Sequence, residues 1–359
     1  MSDLTGSTDI NTANLPIIDY SRIEAFFFEK TAENVAENAK LLRAVNDVGF
    51  IYLKNHGITD EKMKQLFDYA KEFFSWPVSE KEKIESCESK FFHGWFSPER
   101  TSKTRIADQK EAFDIGDDSN LVRPNQWPAD WPEFRTEMNY FFEKCHEIHL
   151  VLLGTFAETQ GLPKDHFDSF VNEKDHFFRL LHYPATTPDS IGDRLRASPH
   201  TDYGTLTLLF NDNSGGLQIR GKDGQWLEVP PIPGYAIINI GDLLSRWFNG
   251  SLKSTEHRVV EPPPEWSKLD VEGRLPPRYA LAWFGNPNRN AWIEPLSSCI
   301  TAESPQRFEG VWAGKHVADR IAKLHKDGKA PEVWKDSMYR EERPQQQQQQ
   351  QHAQLPALA

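Results

Sequence analysis

The chain has 359 residues, of which 38% are hydrophobic and 12% aromatic, a composition typical of a folded protein of one or two domains. Its formal net charge is −12 and no basic stripe is visible, which argues against nucleic acid as a partner. The sequence shows neither a secretory signal nor an apolar run near the roughly 20 residues that cross a bilayer. We therefore expect a cytoplasmic protein without a membrane partner. Three widely spaced cysteines, Cys87, Cys145 and Cys299, predict neither a disulfide framework nor a thiolate metal site.

The first half of the chain is predicted to be mainly helical. Apolar residues at helical spacing predict helices over residues 31–47, 60–74 and 131–160, with short strands over residues 14–20 and 49–53. Residues 87–127 mix aromatic, charged and glycine residues and are interpreted as long loops. Within them the cluster Phe91–Trp95 is more typical of packing than of a pocket. His56 is interpreted as a structural group in a turn.

After about residue 176 the pattern changes to short β-type runs separated by Gly, Pro and Asn. Strands are predicted over residues 177–183, 205–210, 216–219, 226–229, 235–240, 257–260 and 278–284. Asn249-Gly250 predicts a hairpin turn, because both central residues of a type I′ turn need positive φ, and Asp242 is expected to shape a turn. Helices first and strands afterwards indicate an α+β fold: a double-stranded β-helix (jelly-roll) core with supporting helices, mainly N-terminal.

Five segments follow from these patterns. They are an N-terminal helical and mixed region (14–125), a linking helix (126–175), a jelly-roll domain (176–300), a C-terminal helical segment (301–340) and a disordered Gln-rich tail (341–359). The tail contains the run Gln345–Gln351, which offers too little apolar surface to order itself.

Two His-x-Asp pairs are candidates for metal binding. His166-Phe167-Asp168 follows a helical stretch, whereas His200-Thr201-Asp202 lies at the entrance to a predicted strand. Residues i and i+2 of an extended strand project to one face, so His200 and Asp202 can bind one ion. His257 opens another β-like run and is the candidate third ligand. Two imidazoles and a carboxylate suit iron(II) oxygen chemistry, although spacing alone is equally consistent with three polar surface groups.

The context of these residues resembles a known family, the 2-oxoglutarate and iron(II)-dependent dioxygenases of the isopenicillin N synthase type. The matching pieces, in the family's order, are NLPIIDY (14–20), VGFIYLKNHGI (48–58), DQKEAFDIG (108–116), LLHYP (180–184), PHTDYGTLTLLF (199–210), GGLQI (215–219), INIGD (238–242), STEHRVV (254–260) and PPRYALAWF (276–284). This ordered set covers most of residues 14–300. It is far more specific than one His-x-Asp pair.

The resemblance implies roles for particular residues. His200, Asp202 and His257 fall on the family's iron ligands, and Arg278 falls on the arginine that binds the far carboxylate of 2-oxoglutarate. A planar guanidinium is suited to that task, because it can bind a carboxylate through two parallel hydrogen bonds. Tyr183 falls where relatives often place a polar contact to the co-substrate; a half-buried strand tyrosine is the alternative interpretation. The implied cofactors are Fe(II), 2-oxoglutarate as co-substrate, and O2.

The sequence departs from the family at two places. Arg-x-Ser is usual, but here Arg278 is followed by Tyr279 and Ala280, so a hydroxyl that would contact the co-substrate is missing. One such bond to a charged group contributes on the order of 1.5–3 kcal/mol, about tenfold or more in affinity. A polar, Pro-rich insertion, Glu261–Pro277, also separates His257 from Arg278. It is either part of the rim of the site or a surface excursion.

The implied activity is oxidation of a small organic molecule coupled to decarboxylation of 2-oxoglutarate to succinate and CO2. Hydroxylation is the default outcome, with desaturation or ring formation open. Two alternatives stay open at this point: an iron(II) oxidase that uses O2 without 2-oxoglutarate, and a catalytically silent jelly-roll binding protein. Neither the substrate nor the oligomeric state is determined by the sequence.

Overall fold

The computed structural model of the protein describes residues 11–86, 93–97, 110–187, 195–263 and 268–323. Its helices are α1 (Tyr20–Ala25), α2 (Ala32–Asp47), α3 (Asp60–Ser75), α4 (Val78–Lys81), α5 (Pro132–Thr159), α6 (Asp168–Val171), α7 (Asp242–Trp247) and α8 (Ala313–Ala322). Its strands are β1 (Ile17–Asp19), β2 (Phe50–Lys54), β3 (Gly94–Phe96), β4 (Glu111–Ile115), β5 (Phe177–Tyr183), β6 (Ala197–His200), β7 (Leu206–Asn211), β8 (Leu217–Arg220), β9 (Trp226–Glu228), β10 (Ala236–Ile240), β11 (His257–Val259), β12 (Arg278–Phe284), β13 (Trp292–Ile293) and β14 (Val311–Trp312). The Gln-rich tail, Cys87, Phe91 and Phe92 lie outside the described residues.

Two sheets form the core of the fold. The major sheet has the order β1-β2-β10-β7-β12-β5-β4-β3, and the minor sheet has the order β6-β11-β8-β9. Apolar residues from both sheets pack together between them, including Tyr52 and Ile237 from the major sheet and Ile219 and Val259 from the minor sheet. Face-to-face packing of two mainly antiparallel sheets is the jelly-roll arrangement. The predicted α+β fold with a jelly-roll core is confirmed.

The helices cover the outer face of the major sheet. Helix α5 is the largest of them and buries fourteen of its residues. Its Phe141 ring lies 4.6 Å from that of Phe178 on β5 and 5.2 Å from that of Phe210 on β7. Removing such a buried ring costs about 3–5 kcal/mol, so Phe141→Ala would strongly destabilise the sheet that carries the site.

The N-terminal helices begin where the sequence places capping residues. The Thr31 hydroxyl accepts a hydrogen bond from the backbone N–H of Asn34, and Thr59 does the same for Lys62. A side-chain oxygen at this position satisfies an amide that has no partner within the helix. The predicted helices over residues 31–47, 60–74 and 131–160 are confirmed to within one or two residues.

The interpretation of residues 87–127 as loops was wrong where they form β3 and β4. All five residues of β4 are buried, and they include Glu111 and Asp114. Lys81, Trp95 and His182 bind the Glu111 carboxylate, while Arg179 binds that of Asp114. Ion pairs and hydrogen bonds with residues distant in sequence offset the cost of burying these two carboxylates. The strand therefore has polar residues at buried positions and does not show the usual alternation of buried apolar and exposed polar residues.

The hairpin prediction at Asn249-Gly250 was also wrong. Both residues have positive φ, 50° and 80°, but they follow the C-terminal end of α7 rather than joining two strands. Asn249 donates from its side chain to carbonyl groups of residues 299, 304 and 305, which holds this turn against the C-terminal part of the chain. Asp242 is the first residue of α7, not a turn residue.

Candidate metal centre and co-substrate pocket

His200 and His257 face each other across two strands of the minor sheet. His257 on β11 pairs with His200 on β6, and Val259 pairs with Ala197. Two residues along β11 therefore correspond to three along β6, so β6 contains the one extra residue that defines a β-bulge. The extra residue turns both Ala197 and His200 toward the partner residues of β11, whereas strict alternation would send His200 to the opposite face.

Asp202 lies in the loop between β6 and β7, not on a strand. The expectation that His200 and Asp202 share a strand face is therefore wrong in its geometry, although the two side chains do meet. The Asp202 Oδ2 atom accepts hydrogen bonds from Thr207 Oγ1 at 2.6 Å and from Asn239 Nδ2 at 2.7 Å. These two donors, on β7 and β10, leave Oδ1 directed at the histidines.

The three side chains converge on one point. Asp202 Oδ1 lies 3.8 Å from His200 Nε2 and 3.7 Å from His257 Nε2. Ligand atoms each roughly 2.1 Å from a transition-metal ion are separated by about 3.0 Å at right angles and about 4.2 Å at most. Both distances fall within this interval, so the three atoms fit around a single cation.

Hydrogen bonds to carbonyl groups orient both imidazoles for ligation. His200 Nδ1 lies 2.7 Å from the Ser198 carbonyl oxygen, and His257 Nδ1 lies 3.2 Å from that of Thr255. A carbonyl can only accept, so Nδ1 is the donor in each ring, and in the neutral form of the imidazole Nε2 has the lone pair that a metal needs. Such outer contacts are characteristic of metal-binding histidines.

The electrostatics of the cluster favour the protonation states that a metal needs. Burial lowers the pKa of His200 to about 4, and the neighbouring His257 contributes to this lowering, so the imidazole is neutral at pH 7. Burial alone would raise the pKa of Asp202, but the two histidines and the hydrogen bonds from Asn239 and Thr207 outweigh it and the net pKa is lowered. The centre thus combines an anionic carboxylate with a neutral imidazole before any ion binds.

Arg278 lies at the start of β12, and its pairing partner on β5 is Tyr183. The Arg278 side chain is buried, and its Cζ atom lies 4.9 Å from the centroid of the Tyr183 ring. Its Nε donates to the Gly215 carbonyl at 3.0 Å and its Nη2 to Asn211 Oδ1 at 3.1 Å. Both acceptors are neutral, so the positive charge of the guanidinium is not compensated by these contacts.

One row of residues across the major sheet lies next to the metal cluster and escaped the sequence interpretation. Strand pairing places Asn239, Thr207, Phe284 and Phe177 side by side. The rings of Phe177 and Phe284 are stacked, with centroids 4.4 Å apart. Alternation along each strand shows which of its residues share a face. It does not show which residues of neighbouring strands lie side by side, so this row could be recognised only once the strand register was known.

A charged pair adjoins the two rings. Arg179 donates from Nε and Nη2 to both carboxylate oxygens of Asp114, at 2.7 and 2.6 Å. The Arg179 Cζ atom lies 5.5 Å from the centroid of the Phe177 ring. This bidentate pair holds the guanidinium rigidly beside the aromatic surface.

The remaining candidates have structural contacts. The His166 ring packs against those of Phe167 and Phe170, and the structure does not bring His166 and Asp168 to the cluster of His200. His56 is buried; its Nε2 lies 3.2 Å from the Gly234 carbonyl and its Nδ1 accepts from the backbone of Ile58, as a structural role requires.

A second histidine cluster, His146, His149 and His176, is buried beneath the sheet. His176 Nδ1 accepts from the backbone N–H of Asn286, so its Nε2 donates to His146 Nδ1 at 3.1 Å. The Thr205 hydroxyl donates to the Gly285 carbonyl and accepts from His149 Nε2 at 2.7 Å. These bonds are those of neutral imidazoles that tie α5 to the chain just after Asp202.

Comparison with known proteins identifies the family of the chain. Residues 15–133 match the family model of the non-haem dioxygenase in morphine synthesis N-terminal domain, and residues 174–287 match that of the 2OG-Fe(II) oxygenase superfamily. The 2-oxoglutarate-dependent dioxygenase frbA of Dothideomycetidae sp. is 33% identical, over 83% of this chain and 93% of that protein. The proline hydroxylase buaE of Petromyces alliaceus is 34% identical, over 79% and 92%. The crystal structure of a full-length Neurospora crassa protein in complex with alpha-KG and thymine has a TM-score of 0.77 and 35% identity, over 87% of this chain and 97% of that one.

The chain belongs to the 2-oxoglutarate- and iron(II)-dependent dioxygenases. It is an enzyme of that class, with Fe(II), 2-oxoglutarate and O2 as its cofactors and co-substrates, and it oxidises a small organic molecule. In the part of the chain that the structure describes, no helix is both long and apolar enough to span a membrane.

Proposed function

We propose that His200, Asp202 and His257 hold the iron of this dioxygenase. The observation that carries the proposal is the convergence of Asp202 Oδ1 and the Nε2 atoms of the two imidazoles within 4.8 Å of one another. Two histidines and one carboxylate leave adjacent coordination positions of a metal ion open. Iron(II) held by these three residues would supply the oxygen chemistry of the reaction. The chain's own task is to keep Asp202 ionised and His200 neutral, and to hold the three ligands rigid.

Arg278, in the same proposal, binds the far carboxylate of 2-oxoglutarate, and Tyr183 forms the wall beside it. The uncompensated charge of the buried guanidinium supports this role, since a buried cation is stable only when an anion or strong acceptors surround it. The stacking of Arg278 over the Tyr183 ring favours a packing and cation–π role for Tyr183.

The substrate is proposed to lie against the Phe177 and Phe284 rings. These rings adjoin Thr207, which binds Asp202, so a compound stacked on them lies close to the metal ligands. Arg179 beside them suits an oxygen acceptor on that compound. A flat, polar ring fits such a surface, and thymine is the ligand of the Neurospora crassa structure.

The decisive experiment measures succinate formed per substrate consumed by the iron-loaded enzyme. A ratio near one is expected, whereas substrate oxidation without succinate would favour an oxidase that needs no 2-oxoglutarate. Failure of the purified protein to bind iron(II) anaerobically would favour a silent binding protein. A screen for compounds that stimulate 2-oxoglutarate decarboxylation then identifies the substrate.

Cellular location and segment organisation are part of the same proposal. We expect the enzyme in the cytoplasm, as its cysteine content suggests. The division into segments 14–125, 126–175, 176–300, 301–340 and 341–359 is proposed for the chain, with β1 to β4 of the first segment extending the major sheet of the third.

A further inference from the structure

Arg196 is a second buried arginine in the co-substrate pocket. It lies just before β6 on the minor sheet, whereas Arg278 comes from the major sheet. Their side chains are 3% and 1% exposed, and their Cζ atoms lie 5.9 and 4.9 Å from the centroid of the same ring, that of Tyr183. Two cations from opposite sheets therefore meet at one aromatic side chain.

The charge of this arginine pair is only partly balanced by nearby carboxylates in the part of the chain that the structure describes. Among the described residues no carboxylate forms an ion pair with either guanidinium, and Arg196 Nη2 has no hydrogen-bond partner. Burial, and next the charge of Arg278, lower the pKa of Arg196, and the charges of Glu261 and Asp212 offset this only in part. Burying two like charges is strongly unfavourable unless an anion binds between them, so the arrangement indicates a built anion site.

A carboxyl-binding group is also missing from this pocket. Ala280 is buried, pairs with Asn211 across β7 and β12, and offers only a methyl group where the usual Arg-x-Ser motif of the family would place a serine hydroxyl. The Asn211 amide oxygen accepts from Arg278. A planar guanidinium can supply one or two charge-assisted hydrogen bonds in place of one hydroxyl.

We propose that Arg196 is a second binding group for the far carboxylate of 2-oxoglutarate and provides the contact that Ala280 cannot make. This inference rests on the proposed function, in which Arg278 binds the same carboxylate. Two guanidinium groups at one carboxylate make the pocket selective for 2-oxo diacids over 2-oxo monoacids. Arg196 is a binding residue rather than a catalytic one, because the reacting atoms of 2-oxoglutarate lie at the opposite end of the molecule from the far carboxylate.

The test compares two ligands that differ only in the far carboxylate. 2-Oxoglutarate and 2-oxopentanoate are titrated calorimetrically into the anaerobic iron(II)-loaded protein. Arg196→Met is expected to raise the Kd of 2-oxoglutarate at least about tenfold and to leave that of 2-oxopentanoate within about twofold. Ala280→Ser in the Arg196→Met background restores a hydroxyl and is expected to recover part of the lost affinity.

Arg220→Met is the matched control, because Arg220 is exposed on β8 and stacks on Trp226. It should change neither Kd. The metal-free Arg196→Met protein should melt no lower than the wild type, since it loses a buried charge that forms no ion pair with any described residue. Should that variant fold poorly, Arg196→Lys keeps the positive charge but lacks the planar guanidinium that can donate two parallel hydrogen bonds. It is expected to weaken the binding of 2-oxoglutarate and to leave that of 2-oxopentanoate unchanged.

An unchanged Kd of 2-oxoglutarate in the Arg196 variants, or equal weakening of both ligands, overturns the inference. A wild-type protein that binds iron(II) but no 2-oxoglutarate overturns the proposed function together with it. That outcome is visible in the wild-type titration before any variant is compared.

Discussion

His200 and His257 lie directly opposite each other on antiparallel strands, with imidazole centroids 4.3 Å apart. The two residues are far apart in sequence, and the extra residue in β6 is what turns His200 toward its partner. The proposed metal centre is therefore a product of strand register as much as of ligand identity. Three kinds of substitution separate the contribution of ligand identity from that of the surrounding structure. They change the ligands themselves, the residues that orient the ligands, or the residues that support the site.

His200→Ala and Asp202→Ala are expected to abolish turnover and anaerobic iron(II) binding while the far-ultraviolet circular dichroism stays that of the wild type. Loss of an outer contact costs about 10–100-fold in metal affinity, so loss of a ligand should exceed about 100-fold. His166→Ala, in the other His-x-Asp pair, is the control and should retain turnover. Retained activity in either ligand variant would refute the assignment.

Thr207→Val removes the hydroxyl that donates to Asp202 Oδ2 but keeps the shape of the side chain. Asp202 then relies on Asn239 alone for its orientation, and iron(II) affinity is expected to fall about tenfold. Calorimetric titration with iron(II) measures the change. A variant with wild-type affinity would show that the Thr207 contact does not orient the ligand.

Arg278→Ala is expected to raise the KM for 2-oxoglutarate by about tenfold or more, with a smaller change in kcat, because the far carboxylate loses charge-assisted hydrogen bonds. Steady-state rates over a range of 2-oxoglutarate concentrations measure both constants. An unchanged requirement for 2-oxoglutarate would sink the role proposed for Arg278. Iron(II) binding without the co-substrate should be unaffected.

Acid should destabilise the protein through its buried histidine cluster. Burial holds the pKa values of His149 and His176 well below 6.5 in the folded state. The unfolded chain therefore binds more protons, and the free energy of unfolding falls as the pH drops below about 6.5, by up to about 2 kcal/mol per histidine at pH 5. Urea unfolding of the metal-free protein at pH 7 and pH 5 measures this loss.

His149→Gln keeps a donor for Thr205 but cannot take up a proton in this range. The variant should lose up to about 2 kcal/mol less stability between pH 7 and pH 5 than the wild type does. Identical losses in both proteins would show that His149 does not contribute to the acid sensitivity.

Helix α8, the last helix among the described residues, contacts the loop that carries Asp202. Arg320 pairs with Asp242 at 2.8 Å, donates to Thr201 Oγ1 at 2.9 Å, and lies 4.7 Å from the Tyr203 ring centroid. Arg320→Met removes these contacts and is expected to lower the free energy of unfolding. The loss should be only about 1 kcal/mol, because the Arg320 side chain is partly exposed and water screens its ion pair. It should also weaken iron(II) binding several-fold. Lys315→Met, which removes an exposed pair with Asp319 on the same helix, should do neither.

Much of the fold could be predicted because its signals are local. Helical spacing of apolar residues defined α2, α3 and α5, and β-type runs located β5 and β7 to β12 to within a residue or two, but they missed β6, the strand that carries His200. The strands β3 and β4 could not be found in this way. Buried carboxylates such as Glu111 read as loop residues until Lys81, Trp95 and His182 are known to surround them.

By itself the sequence predicted the class of the enzyme and the identities of its candidate ligands, since His200, Asp202, His257 and Arg278 lie in ordered motifs that resemble those of one family. Only the tertiary structure decided how these residues meet. The β-bulge before His200, the loop position of Asp202 and the burial of Arg196 beside Arg278 depend on contacts between strands distant in sequence. Such contacts set register, desolvation and charge balance, and no local pattern of residues encodes them.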